Sequence, residues 1–366
     1  MSTNPLIKIE DLHTFFYSKA KQAFIRAVDG ISMEVPRGKT LGIVGESGSG
    51  KSITMMSVLG LISAGPGVIR GKVIYDNGRI KKNLLQGLDD FVDLQEHDGT
   101  IMQVDKDLYG WQQHSEQLMK NIRGNEVSII FQNPKAAFNP FTVIGEQIAE
   151  MVLLHTRIND PVAAKAKALY WLERVKMDAP EVRYYNYPGA LSGGMAQRAM
   201  VAMALASEPA LLIADEPTTG LDATIQAKVL QLLAEIKADL GITIMIISHD
   251  IGVISSLSDY VAVMYGGTVL EYGSAKDVLS TAYEKKHPYA KALLASIPGL
   301  ENIEKNGARL KAIKGEVLDT IRVVEGCKFA SRCDCMTDSV KHKCNTQQPP
   351  LEDIGGGHKI RCWLYQ

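Results

Sequence analysis

The chain has 366 residues, 46% of them hydrophobic and 22% charged, the make-up of a soluble globular protein with room for a catalytic domain and a smaller appendage. Its 40 basic and 41 acidic residues leave a net charge of −1, which offers no general affinity for nucleic acid. No run approaches the roughly 20 apolar residues that span a bilayer, and Met1-Ser2-Thr3-Asn4-Pro5 opens no basic-then-apolar secretory leader, so a cytoplasmic chain that works at a membrane only through a partner is expected.

Alternating apolar residues predict strands between Ile7 and Val35, through Ile7, Ile9 and Leu12 and then Ile31, Met33 and Val35. Leu41-Gly42-Ile43-Val44 is a short apolar strand that runs straight into Gly45-Glu46-Ser47-Gly48-Ser49-Gly50-Lys51-Ser52. Ser52 to Leu61 then reads as a helix ending near Gly65-Pro66-Gly67. The loop fits G-x-x-x-x-G-K-[ST] in the strand–loop–helix context that the motif requires. Its glycines let successive backbone N–H groups turn inward around phosphate oxygens, and the following helix adds its positive dipole end. Lys51 can bridge the terminal phosphates and the Ser52 hydroxyl can ligate Mg²⁺. This is a site for ATP.

Residues from about Asp76 to Asn121 are polar and mixed in charge without clear periodicity, and read as an insertion of a hairpin plus a helix, a solvated surface element. Val127 to Phe131 is a strand, followed by a loop rich in Asn and Pro. Ile144 to about Met177 is mostly helical with an interruption near Asn159-Asp160-Pro161, and Gly194 to Ala206 is a further helix. Leu211 to Ala214 and Thr243 to Ile247 are buried strands on either side of a long helix, Thr224 to Leu240. Such alternation predicts a parallel α/β core. From about Glu301 the pattern loosens into short segments that hold all five cysteines, Cys327, Cys333, Cys335, Cys344 and Cys362. In a cytosolic chain such clustering points to metal or cluster ligation rather than to disulfides. An iron–sulfur cluster, structural Zn²⁺ and plain buried thiols all suit it, and spacing alone does not separate them.

Two further stretches carry chemistry. The strand Leu211 to Ala214 delivers Asp215 where it can hold Mg²⁺ through water, and Glu216 where it can polarise an attacking water. Leu191-Ser192-Gly193-Gly194-Met195 opens a helix and makes another anion-receptive N-terminus. A chain with one nucleotide loop has no use for it unless it serves a neighbour. Here the sequence resembles the nucleotide-binding subunits of ABC transporters, over nearly all of residues 1–260. Ser192 to Gly194 matches their signature motif, with Met195 where Gln is more usual; Phe131-Gln132 resembles the Q-loop, Gly220-Leu221-Asp222 the D-loop and Ser248-His249-Asp250 the switch histidine. Phe16 stands where such proteins stack the adenine, with Tyr17 a close competitor.

The resemblance implies an α/β fold over residues 1–265: an ABC-type P-loop NTPase core with a parallel sheet, an antiparallel β subdomain and a helical subdomain at about 140–205. It implies a head-to-tail pair of subunits, in which ATP on Gly45, Glu46, Ser47, Gly48, Ser49, Gly50, Lys51 and Ser52 of one is completed by Ser192, Gly193, Gly194 and Asp222 of the other. His249 would contact the γ-phosphate, Gln132 would sense Mg²⁺ and water, Glu216 would act as general base, and Asp215 with Ser52 would serve the metal. Catalysis would be chiefly positioning and charge stabilisation.

Three more stretches resemble one subgroup, the ATPase subunits of dipeptide, oligopeptide and nickel importers. They are Asn133-Pro134 through Phe138-Asn139-Pro140 with Ile144-Gly145-Glu146-Gln147; Lys286-His287-Pro288-Tyr289 with Ile297-Pro298; and Gly326-Cys327 through Arg332-Cys333. This resemblance implies a peptide-import ATPase, peripheral on the cytoplasmic face of the membrane, working with two permease subunits, a second and related ATPase, and an extracytoplasmic binding protein. Nickel or an oligosaccharide are alternative cargoes. Residues 266–366 would form the subgroup's C-terminal region, a small cysteine-rich module in which Cys327, Cys333, Cys344 and Cys362 bind a [4Fe–4S] cluster, with Zn²⁺ as the alternative and Cys335 as the spare. The chain departs from the subgroup in its longer region 76–121 and its wider Cys333–Cys344 spacing. A soluble ABC ATPase acting on ribosomes or DNA is disfavoured by the single nucleotide loop and the absence of a heptad run, and a regulatory module with a dead site by Glu216 and His249.

Overall fold

Strands Ala23–Val35, Ile7–Ser18, Pro66–Asp76 and Lys81–Asn83 form, in that order, an antiparallel sheet in a computed structural model that describes residues 4–97, 100–280, 283, 285–296 and 313–366. Ile7 faces Val35 and Ile9 faces Met33 across the first pair, and these apolar side chains are buried as the alternation requires. The Ile297-Pro298 element lies outside the described residues. The described chain divides into two compact units, one of Met1–Val35, Leu41–Gln117 and Ser248–Gln366, the other of Pro36–Thr40 and Leu118–Ile247.

In the first unit residues Leu41–Val44, from the strand Thr40–Val44, pair in parallel with the strand Tyr260–Tyr265, Leu41 opposite Tyr260. Gly266-Gly267 turns the chain into the antiparallel strand Thr268–Ser274, whose outer side receives Lys359–Ile360 and then Glu352–Asp353 from the C-terminus. Every residue of Thr40–Val44 is buried, as a strand covered on both faces must be.

The insertion holds the expected hairpin, Val92–His97 against Thr100–Lys106, and the helix Leu108–Met119. It is not a free solvated element, and this corrects the expectation. Ile101 is buried with Phe15 and Ile69, and Val92, Leu94 and Val104 pack on that cluster. The Arg26 guanidinium donates to the Ile101 carbonyl at 2.6 Å, and the Lys106 ammonium donates to the Val68 carbonyl. Burial pushes the Lys106 amine down to about 7. Only alternate residues of the hairpin dock, so a mixed polar sequence hid a half-buried face.

In the second unit Thr243–Ile247, Leu211–Asp215 and Val127–Ile130 run parallel, with Leu211 between Thr243 and Val127. The helix Ala223–Leu240 buries Val229, Leu232, Leu233 and Ile236, one helical stripe, and ends at Gly241 in the left-handed region. The expected interruption lies between Ile144–His155 and Pro161–Arg174: Asp160 accepts from the Ala163 N–H at 2.9 Å and Pro161 opens the second helix. Gln147 ties the preceding loop, accepting from the Asn139 N–H at 2.9 Å and donating to the carbonyls of Asn139 and Thr142 at 3.0 and 2.8 Å.

Candidate functional site

The phosphate loop sits in the first unit, where the buried strand ends and the helix Lys51–Val58 begins. Gly50, left-handed at φ 95°, precedes that helix with no side-chain cap, so the first N–H groups of the helix stay turned to the loop. A side chain at Gly45 would stand 2.1 Å from the Met264 carbonyl oxygen, which restricts the position to glycine. Lys51 is buried and folded back, its ammonium donating to the carbonyls of Gly45 and Glu46 at 2.7 and 2.9 Å and to the Ser49 hydroxyl at 3.4 Å. The amine is thereby parked within the loop that it is expected to serve. Ser52 is half-buried on the first turn.

The Glu46 carboxylate has its partner in the C-terminal region. Arg332 grips it with two parallel bonds, 2.7 and 3.1 Å long, and the Tyr289 hydroxyl accepts the Glu46 N–H at 2.9 Å. Both partners come from the two C-terminal motifs that the sequence marked out. His249 follows Ser248, whose N–H donates to the Ile43 carbonyl at 3.3 Å, so the exposed histidine is carried on the first unit beside the strand that feeds the loop. Phe16 is half-buried opposite Ile25 and Pro66, while Tyr17 is 49% exposed and packs edge-on against Phe24 at 5.4 Å.

The second unit gathers the remaining expected residues in two places. The strand Leu211–Asp215 ends in Asp215 and Glu216, both half-buried, and Glu216 adopts φ 48° with its N–H bonded to the Ile247 carbonyl at 3.0 Å. A non-glycine residue in that region is strained, and the turn Glu216–Thr219 holds it there. Its Oε2 accepts from Gln132 Nε2 at 3.0 Å and from the Thr219 hydroxyl at 2.9 Å. The sequence named Gln132 but missed Thr219, although its place three residues after Glu216 in a turn was a readable signal.

The other place is a cavity of ≈ 790 Å³ lined by Ser192, Gly193, Gly194 and Met195 from one helix start and by Gly220, Leu221 and Asp222 from another, with Lys176 and Lys228 at its side. Ser192 and Asp222 each cap their helix, accepting from the N–H groups of Met195 at 3.3 Å and Ile225 at 3.0 Å. Two capped helix starts meet at one opening with the cations Lys176, Arg198 and Lys228 and the carboxylates Asp178 and Asp222.

The C-terminal thiols are drawn in by backbone bonding. The Cys327 N–H donates to the Cys344 carbonyl at 2.8 Å, and a side chain at Gly326 would stand 2.2 Å from that same oxygen, which explains the Gly-Cys pair. Cys327, Cys344 and Cys362 are buried, Cys333 is half-buried and Cys335 is exposed. Burial raises the thiols, Cys327 to about 11 and Cys362 to about 12, and Cys362 also feels Cys327, Cys333 and Cys344. Among the described residues no three His, Cys, Asp or Glu side chains converge so as to hold a metal ion. Among the described residues, too, no helix is long and apolar enough to cross a membrane.

Comparison with known proteins decides the family. The ABC transporter family matches residues 28–219, and a second family, the C-terminal region of oligopeptide/dipeptide transporters, matches residues 270–339. The chain belongs to the ABC transporter family. The oligopeptide transport ATP-binding protein AppD of Bacillus subtilis is 40% identical over 367 residues, covering 100% of this chain and 98% of the relative. The dipeptide transport ATP-binding protein DppD of the same organism is 37% identical, covering 98% and 94%. Among solved structures, the ABC cassette MJ0796, a dimer in a post-hydrolysis state bound to ADP and Pi, superposes with a TM-score of 0.57 at 24% identity over 74% of this chain and 98% of that one. That likeness speaks for the fold alone, an ABC ATPase cassette with mixed α/β sheets. This ABC cassette is thus an ATPase in which the C-terminal residues Tyr289 and Arg332, noticed in sequence only as family markers, reach the phosphate loop itself.

Proposed function

We propose that the chain is the ATP-hydrolysing, energy-coupling subunit of a membrane importer of dipeptides or oligopeptides, bound peripherally at the cytoplasmic face. The full-length likeness to peptide-transport ATP-binding proteins carries the cargo class, and the loop with Lys51 parked among its carbonyls carries the chemistry. Its cassette spans residues 1–265, with a helical subdomain at about 140–205, and its C-terminal region residues 266–366. Two permease subunits, a second and related ATPase, and an extracytoplasmic binding protein reached through the permeases complete the assembly.

In this reading the backbone N–H groups of Gly45 to Ser52 bind the phosphates of ATP, and Lys51 leaves its carbonyls for the terminal phosphates. Phe16 stacks the adenine. Ser52, Asp215 and Gln132 would hold Mg²⁺, which supplies charge neutralisation at the phosphates. Glu216 Oε2, oriented by Gln132 and Thr219, takes the proton of the attacking water as the general base. His249 steadies the γ-phosphate. Ser192, Gly193, Gly194 and Asp222 act on the nucleotide of the neighbouring subunit, for which the cavity at those two helix starts is suited. Hydrolysis therefore depends on the pair.

Cys327, Cys333, Cys344 and Cys362 are the thiols we assign to a [4Fe–4S] cluster. Support comes from the burial of Cys327, Cys344 and Cys362, from the backbone bond between Cys327 and Cys344, and from the exposure of Cys335. A single zinc ion needs its ligands to converge on one point, whereas a cluster takes each thiolate at a different iron. Such a group would cross-link the C-terminal region and would displace protons from thiols that burial keeps neutral.

The deciding experiment reconstitutes the chain with permeases into vesicles and measures ATP turnover with and without a peptide-loaded binding protein. Turnover indifferent to peptide would refute the cargo, and a chain that co-purifies with ribosomes rather than permeases would refute the role. Iron and sulfide with a visible absorption band that bleaches on reduction support the cluster; zinc alone would exclude it.

A further inference from the structure

Glu46 is the one acidic residue of the phosphate loop, and a carboxylate there stands beside the place that must receive a polyanion. Left alone it would repel phosphate. Arg332 meets it with both terminal nitrogens, at 2.7 Å to Oε2 and 3.1 Å to Oε1, the fork geometry that fixes direction as well as charge. The guanidinium is itself held hard. Its Nε donates to the Lys314 carbonyl at 2.8 Å, its Nη1 to the Tyr265 hydroxyl at 3.3 Å, and it lies 5.6 and 5.9 Å from the ring centroids of Tyr265 and Phe329.

The same rings lock Tyr289, whose hydroxyl takes the Glu46 N–H: Tyr265 and Phe329 lie 4.8 and 5.3 Å from it, centroid to centroid. Side chain and backbone of one loop residue are thus both claimed by the C-terminal region. The Arg332 side chain is only 3% exposed, and it rides on the short turn Ala330–Arg332, between Cys327 and Cys333.

We infer that Arg332 is a positioning residue of the nucleotide site: it neutralises Glu46 and, together with Tyr289, holds the phosphate loop open to the phosphates of ATP. The inference rests on the reading of Gly45 to Ser52 as an ATP site. It makes the C-terminal region part of the ATPase machinery, because the loop's counter-ion is supplied from a stretch of chain nearly three hundred residues away. A merely structural pair would hold the C-terminal region in place and leave ATP affinity untouched; a charge-compensating pair governs affinity.

The test uses the full chain and equilibrium binding of a fluorescent ATP analogue with Mg²⁺, alongside urea unfolding. Arg332→Met is expected to weaken binding about tenfold, equivalent to about 1.4 kcal/mol, because Glu46 is left unneutralised. Arg332→Met combined with Glu46→Gln should bind more tightly than Arg332→Met alone, since the offending charge is gone. Arg332→Lys should fall between, supplying charge without the fork. Tyr289→Phe keeps the ring packing and removes only the acceptor for the Glu46 N–H; it should weaken binding about threefold at unchanged stability. That variant also serves if Arg332→Met does not fold. Wild-type affinity in folded Arg332→Met or in Tyr289→Phe overturns the inference, as does a double variant no better than Arg332→Met. A wild-type chain that binds no ATP overturns the site reading beneath it.

Discussion

The cassette carries one carboxylate in its phosphate loop and another after the strand Leu211–Asp215, and holds them in opposite ways. Glu46, in the phosphate loop, is clamped by a buried guanidinium from the far end of the chain. Glu216, after the strand Leu211–Asp215, is aimed by two neutral donors, one of them only three residues away. A carboxylate beside a phosphate cradle has to be silenced, and a bidentate ion pair does so. A carboxylate that is to take a proton from water has to be pointed and kept competent, and neutral hydrogen bonds do that. The difference in support follows: the first carboxylate is held by an ion pair from the far end of the chain, the second by neutral donors, Thr219 in its own turn and Gln132 from the strand end of another part of the sequence.

The sharpest way to break this contrast is Glu216→Gln, which keeps shape and removes the carboxylate proposed as the base. ATP turnover of the assembled transporter should fall at least about 100-fold while nucleotide binding persists. Turnover near wild type would end the assignment of Glu216.

A second test acts on the support of Glu46 alone. Tyr289 donates its N–H to His287 Nδ1 at 3.0 Å, and burial, reinforced by the nearby Arg361 charge, pushes that imidazole down to about 3. The folded value lies below the ordinary value near 6.5, so the unfolded chain takes up a proton first as the medium is acidified. Stability is therefore retained above about pH 6.5 and lost, by about 1.4 kcal/mol per pH unit, between there and about pH 3. Urea unfolding at pH 7 and pH 5 should show the loss in wild type, about 2 kcal/mol by that slope. His287→Asn can still cap its helix and does not titrate, so its difference between the two pH values should shrink correspondingly.

Thr219→Val removes the local one of the two donors to Glu216. A reduction in kcat of about tenfold with KM nearly unchanged is expected, the pattern of a contact that matters in the transition state. A raised KM with intact kcat would move Thr219 from aiming the base to binding nucleotide. The smallest effect should come from Asp222→Ala. Loss of its cap on Ile225 lowers stability by about 1 kcal/mol, measurable as a shift in the urea midpoint, and turnover should fall further only in the assembled pair.

Much of the site was legible because its chemistry is local. Gly45 to Ser52 needs its glycines for backbone shape and its lysine for charge, all within one strand–loop–helix, and the apolar run before Asp215 announces a buried strand. The helix interruption at Asp160-Pro161 was equally readable, since an acidic cap and a proline act on adjacent residues. The insertion was harder. Its mixed polar sequence conceals Ile101 packing on Phe15 and Ile69, because a two-residue period is blurred when the docked face is short and ringed by charges.

The sequence by itself marked out the strand–loop–helix at Gly45 to Ser52, the acids at the end of the strand Leu211–Asp215, the helix starts at Ser192 and Asp222, and the family they belong to, because each of these patterns is carried by near neighbours in the chain. Only the tertiary structure decided that Arg332 and Tyr289 complete the phosphate loop. No pattern links residue 46 to residues 289 and 332; packing of Tyr265, Tyr289 and Phe329 brings them together, and a charge buried by that packing has to find its partner wherever the fold delivers it.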